Sequence, residues 1–416
     1  MNTEELVRAS LREQAAATPA APSGLADRVL AVRRRRRGRG VAGAAAATVL
    51  VLAAAVGVPA LLGSSDSDSD SDSDQGQGPR LASSVGHGDI LRHADQSPPR
   101  ELIAVGDQAV AAYYTSKKAE QPNHDEITTR TYSVLDQKTG RYVVDARWSY
   151  LAAAPGMRTA AVLERELPAG RIGLLDLLTG RVTRWIPVPQ GVGAVSFSPD
   201  GSKLVATTFA KNPDRSYWSL KIPVNNTEQP QPTPCRTGFA VVDLAKNTVD
   251  WHALPSFTGP GGRNFGSGED LLFNTDGTLL YEPVNMEPGV YYRDLRGRKV
   301  DVPAREKAID LFSAPAGLSP DGRLVAGGFA GGVRSTATQV LDPRTGKRTA
   351  KLRGQELLAW ADSKRLIAWD TVPGGGEYDT RLVLVTLGSD KEVVLSGART
   401  PKDFSGGRWE PVFARR

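Results

Sequence analysis

The sequence predicts an all-β fold, a six-bladed β-propeller (the alternative is seven-bladed), preceded by a single transmembrane helix and short cytoplasmic helices. Three observations predict it. Two turn motifs recur together along residues 101–396, an uncharged apolar run fills residues 41–62, and arginines crowd the chain just before that run.

Residues 1–40 read as a cytoplasmic stub. Asn2, with Glu5 three positions on, makes a capping box for a short helix over residues 2–17, with Leu6, Val7 and Leu11 on its apolar face. Pro19 and Pro22 interrupt, and Ser23 caps a second helix carrying Leu25, Val29, Leu30 and Val32. Two apolar stripes in so short a segment cannot build a core. They are either lead-ins to the membrane helix or a docking peptide for a cytoplasmic protein at residues 1–32.

Residues 41–62 hold no charge and one hydroxyl, Thr48. As a helix they span about 33 Å, enough for a hydrocarbon core of about 30 Å. Arg33, Arg34, Arg35, Arg36, Arg37 and Arg39 precede the run, and no base follows until Arg80. Positive residues stay inside, so the expected topology is a cytoplasmic N-terminus and an extracytoplasmic remainder, with the arginines on anionic lipid heads. A cleaved signal peptide is the rival, but a start region this long exceeds the usual 15–30 residues. Gly38, Gly40 and Gly43 spell a dinucleotide-binding pattern without the strand before it or the acidic partner after it, so the match is accidental.

A spacer follows at residues 63–79. It alternates Ser with Asp66, Asp68, Asp70, Asp72 and Asp74. A calcium loop counted from Asp70 needs Gly and Glu where Gln75 and Leu81 stand, so the segment reads as a self-repelling linker. The charge splits into +5 over residues 1–40, −5 over the spacer and +6 over the rest. The pI of about 9.3 thus marks no nucleic-acid-binding stripe. Arg outnumbers Lys 38 to 14, which points to a GC-rich bacterial genome.

Residues 80–416 form the expected extracytoplasmic domain. One marker is an apolar residue and a turn: Phe197-Ser198-Pro199-Asp200-Gly201, Phe273-Asn274-Thr275-Asp276-Gly277 and Leu318-Ser319-Pro320-Asp321-Gly322. Pro suits the first turn position, Asp bonds back to the backbone, and Gly takes positive φ. The other is a strand ending in Asp before a tight turn, as at Asp136 to Gly140, Asp176 to Gly180 and Asp342 to Gly346. Looser copies begin at Asp243, Asp294 and Thr386, giving steps of 40, 67, 51, 48 and 44 residues. The long step holds a Pro- and Asn-rich insert at 211–235. About four short strands per unit cannot bury both faces alone, so units must stack, radially in a propeller or linearly in sandwiches.

The Ser-Pro-Asp-Gly turns resemble those of TolB-like and WD-repeat-like bacterial propellers over residues 101–396, although the recurring Gly-His and Trp-Asp signature of true WD repeats is absent: each pair occurs once, at Gly86-His87 and Trp369-Asp370. Six units fall near 101–147, 148–188, 192–255, 268–303, 314–352 and 355–396. Residues 89–92 and 408–413 are left to close the ring by strand exchange or to form a composite seventh blade.

Catalytic motifs are missing. The sequence has no Gly-x-Ser-x-Gly elbow, phosphate loop or His-Glu-x-x-His, and His87, His93, His124 and His252 share no ligand spacing. One cysteine, Cys235, allows no intrachain disulfide. No catalytic, cofactor or metal residue is expected, and no nucleic-acid partner. The expected function is a non-enzymatic binding, sensing or protein-interaction scaffold on the cell membrane, contacting an envelope protein or ligand through irregular segments at 117–126, 211–235 and 256–268. One alternative is a transmembrane regulator. The layout of stub, span and large exterior is similar to that of bacterial anti-sigma factors, which implies a stub that docks a sigma factor. A propeller hydrolase with acids at the funnel is the remaining alternative.

Overall fold

The computed structural model describes residues 90–224, 227–256, 270–283, 290–311, 314–331, 337–376, 378–399 and 408–416. The stub, the arginine run, the apolar span and the spacer lie outside them, as do 257–268 of the third long segment. The described residues make twenty-six strands and no helix, hence no helix long and apolar enough to cross a membrane.

The chain enters through β1 (Ile90–Leu91) and β2 (Ala104–Val105), then forms β3 (Gln108–Glu120), β4 (Glu126–Asp136) and β5 (Arg141–Asp145) in one antiparallel sheet. Next come β6 (Trp148–Ala153), β7 (Thr159–Glu164), β8 (Ala169–Asp176) and the long β9 (Arg181–Phe197). The first part of β9 pairs with β8 and its last part with β10 (Lys203–Phe209), carrying the chain from one strand group into the next. Strands β11 (Arg215–Val224) and β12 (Thr227–Pro232) leave this sheet, and β13 (Arg236–Asp243) and β14 (Thr248–Ala253) return to it.

Smaller antiparallel sheets follow. One holds β15 (Leu272–Phe273), β16 (Leu280–Pro283), β17 (Val290–Arg293) and β18 (Lys299–Val300). The next holds β19 (Val325–Phe329), β20 (Ala337–Leu341) and β21 (Arg348–Arg353), and another holds β22 (Glu356–Trp360), β23 (Arg365–Thr371), β24 (Thr380–Thr386) and β25 (Glu392–Val394). Finally β26 (Trp409–Arg415) pairs with β3, Trp409 opposite Thr115 and Arg415 opposite Gln108.

Burial explains the residue choice. Strands with sheet on both sides, such as β7, β10 and β23, are nearly continuous runs of Ala, Val, Leu, Ile and Thr. The outermost strands β14 and β21 are mostly exposed and correspondingly polar. Apolar clusters then join each sheet to the next. Ala112 and Tyr132 pack on Trp148, Leu151 and Val162; Ile172 and Ile186 pack with Leu204 and Val242. Val205 and Phe239 meet Leu271 and Leu280, and Tyr281 and Tyr292 meet Ile309 and Val325. Ala326 and Val340 meet Leu357 and Leu366, and Trp369 and Leu382 meet Ile103, Val110 and Trp409. The succession returns to its starting strands, a ring of the propeller type.

The repeated turns have the geometry their residues imply. The Asp200 carboxylate accepts from the Ser198 hydroxyl at 2.6 Å and the Ser202 amide at 3.0 Å, while the Ser198 Oγ accepts the Lys203 amide at 2.9 Å. Ser319 and Asp321 repeat the contact at 2.7 Å. In the second marker the Asp176 carboxylate accepts the amides of Leu178 and Thr179, and Asp342 accepts those of Arg344 and Thr345. Neighbouring strands are antiparallel, so both kinds of turn emerge at one end of each sheet. The connections β3–β4, β7–β8, β10–β13 and β23–β24 emerge at the other.

Candidate binding face

The long connections gather at that second end. Residues 117–126 and 211–235, expected to be irregular, are mostly strand, which corrects the sequence reading. Strands β3 and β4 pair without interruption from Ala112 opposite Val134 to Glu120 opposite Glu126, so the segment is a hairpin with its turn at residues 121–125. In the insert, β11 pairs with β12 and also with β4, through Arg215 opposite Ile127 and Ser216 opposite Glu126. The two hairpins become one projecting sheet in the order β3-β4-β11-β12. The reason is composition. Thr128, Thr129, Tyr217, Trp218 and Ile222 are strand formers, and the polar residues between them suit strands open to solvent.

Two ion pairs fasten the insert. Arg130 donates from Nη1 and Nη2 to both carboxylate oxygens of Asp214, at 2.6 and 2.8 Å. Burial acts to lower the guanidinium pKa of Arg130, but the Asp214 carboxylate, Tyr132 and Tyr114 together hold it well above its ordinary value. Its backbone carbonyl accepts from Arg165 at 2.8 Å, tying in the β7–β8 turn that lies between. Asp125, buried, accepts the Trp218 amide at 2.8 Å and the Arg215 guanidinium at 2.7 and 3.0 Å. These bonds, the backbone amide first, hold the Asp125 carboxyl below the usual range.

Beyond this root the hairpin stands in solvent. Leu220 is 46% exposed and Ile222 45%, among the most exposed large apolar residues described. Lys221 lies over the Trp218 ring at 4.8 Å and pairs with Glu228, and His124 packs against the same ring. The free edge of β12 carries Pro230 and Pro232, which have no amide to offer an added strand.

His87 lies outside the described residues, and the three described histidines are scattered. His93 sits beside Glu101, His124 beside Glu120 and His252 on Phe239. Cys235 is buried, and burial pushes its thiol pKa up. Among the described residues no three His, Cys, Asp or Glu side chains are grouped as a metal ion would need. The projecting sheet is the feature the sequence reading missed. Its signal was present in the Pro122-Asn123 turn and the aromatic run at 217–218.

No protein-family model matches the chain, and no curated protein matches it. Among solved structures, TolB from Acinetobacter baumannii is 17% identical with a TM-score of 0.37, over 70% of this chain and 67% of that one. The β-propeller domain of Cps50 (Swd1) from Myceliophteria thermophila is 12% identical with a TM-score of 0.38, over 73% and 96%. Likenesses at this distance carry no argument about this chain.

Proposed function

We propose that the protein is a membrane-anchored interaction module. Its described part is a six-bladed propeller whose ring is closed by strand exchange from β26. It stands outside the cytoplasmic membrane of a bacterium and binds an envelope protein through the β11–β12 hairpin, without catalysing a reaction. The hairpin carries this reading. Leu220 and Ile222 hold apolar side chains in water on a strand that ion pairs keep in place, and a partner that covered them would gain their burial. The anchor rests on residues 41–62 and the arginines before them.

Crosslinking and capture from native membranes tests the reading, comparing the full chain with Leu220→Ser/Ile222→Ser. The expected result is loss of exterior partners with unchanged folding; undiminished capture refutes the hairpin as the contact. Orientation is tested with Ser84→Cys and a membrane-impermeant maleimide on intact cells, where labelling is expected and its absence overturns the topology. The two short apolar helices expected in the stub favour a second reading, a regulator that docks a sigma factor or similar protein. A cytoplasmic protein captured by the full chain, and lost on deleting residues 2–32, is the outcome that supports it.

A further inference from the structure

The inner strands leave a cavity of about 400 Å³ between β6, β9 and β26, with Leu272 at its edge. Its inner end lies under the projecting sheet, where the rings of Tyr114 and Tyr150 flank the Arg130 guanidinium, each at 5.9 Å. Its middle is apolar, walled by Leu151, Val195 and Val412. Its mouth opens at the end of the repeated turns, beside Gln108 and the exposed Arg415.

Charge distinguishes this space. None of the residues lining it is Asp or Glu, in a chain with 46 of them. Arg130 is neutralised from behind by Asp214, whereas the Arg415 side chain has no carboxylate partner among the described residues. Some arginines of the ring have one, such as Arg171 with Glu164, Arg236 with Glu282, Arg353 with Asp370 and Arg399 with Glu410. Arg184, whose guanidinium donates to the Leu244 carbonyl, is like Arg415 without one among the described residues, but does not line the cavity. The volume falls within the roughly 300–1,000 Å³ of small-molecule sites, which are mostly apolar with a few orienting polar groups.

We propose that the cavity binds a small organic carboxylate with an aromatic or acyl body. The carboxylate meets Arg415 and Gln108 at the mouth, because a guanidinium is the matching donor for it. The body lies along Leu151, Val195 and Val412, with its far end against the tyrosines. This deepens the reading of the ring as a binding module by naming a second ligand class at a site apart from the hairpin.

Benzophenone-4-carboxylate serves as the probe, photocrosslinked to the full chain and mapped by mass spectrometry. Saturable crosslinks on the cavity-lining parts of β6, β9 and β26 are expected, competed by naphthalene-2-carboxylate and not by 2-naphthamide. Arg415→Gln, a surface change compatible with folding, is expected to raise the half-saturating concentration about tenfold and to leave uncharged benzophenone unaffected. Crosslinks scattered over the surface, no saturable labelling, or equal half-saturation in Arg415→Gln would overturn the proposal. Partner capture through Leu220 and Ile222 is read separately, so either site can fail alone.

Discussion

Arg130 and Asp214 meet in a two-pronged ion pair although 84 residues separate them. Arg130 lies on β4, and Asp214 stands at the root of the insert that leaves the sheet of β6 to β10. The pair therefore spans the strand group β6–β8 and ties the projecting sheet to the ring. Only two backbone positions of β11 are paired with β4, so the ion pairs decide whether the insert stays docked.

Breaking that pair is expected to be costly. Asp214→Ala strands a buried guanidinium and should destabilise by about 3 kcal/mol. Arg130→Met with Asp214→Leu should recover most of it, since the charge and its partner leave together. Urea unfolding of the single and double variants measures this, and equal losses in both would show that the pair is not the fastening.

Ring closure depends on Trp409. Its ring meets Trp369 edge-on at 5.1 Å and Tyr113 at 5.7 Å, and its carbonyl accepts from Arg399 at 2.9 Å. Arg399 lies 3.3 Å over the Trp369 ring, and burial pulls its pKa down to about 10 against the opposing Glu410 charge. Trp409→Ala is expected to cost about 3–5 kcal/mol by removing a fully buried side chain. Hydrogen exchange should show the loss first in β26 and β3; uniform loosening would argue against a seam that opens locally.

Acid should loosen the repeated turns. The Ser198 hydroxyl and the Ser202 amide lower the Asp200 carboxyl from 3.8 to about 2, and Asp321 is lowered by Ser319 in the same way. A carboxyl whose folded pKa is depressed contributes stability that is complete above its unfolded value and lost as pH falls through the folded one. For Asp200 that window runs from about pH 4 down to about pH 2. Unfolding midpoints measured across it should fall less steeply in Asp200→Asn than in the wild type. Identical slopes would mean that the turn contributes no linked stability.

Gly106 and Gly140 separate two costs. Both have positive φ, 55° and 69°. A Cβ at Gly140 meets nothing, whereas one at Gly106 overlaps the Ala361 carbonyl, which already accepts the Asp107 amide at 2.9 Å. Gly140→Ala should cost about 1 kcal/mol, the strain of the backbone alone. Gly106→Ala should cost at least about 2 kcal/mol more, because the first and last sheets must part. Thermal unfolding of the two variants makes the comparison.

The sequence alone determined the all-β character, the turn positions and the stacking of repeated units. All three follow from local chemistry. Ser-Pro-Asp-Gly closes its own turn, and strand runs of Ala, Val and Leu flanked by such turns must be covered on both faces. It also placed 408–413 among the segments available to close a ring, and those residues do pair with β3 at positions 409–413. Only the tertiary structure decided that 117–126 and 211–235 are hairpins and that they join. Their pairing depends on contacts such as Arg130–Asp214 and Arg215–Asp125 between residues about 90 apart, and a polar strand carries no periodicity that names its neighbour. The cavity was invisible for the same reason. Its wall combines β6, β9 and β26, segments distant in the chain, and an arginine with no carboxylate partner among the described residues is recognised only once the strands are assembled.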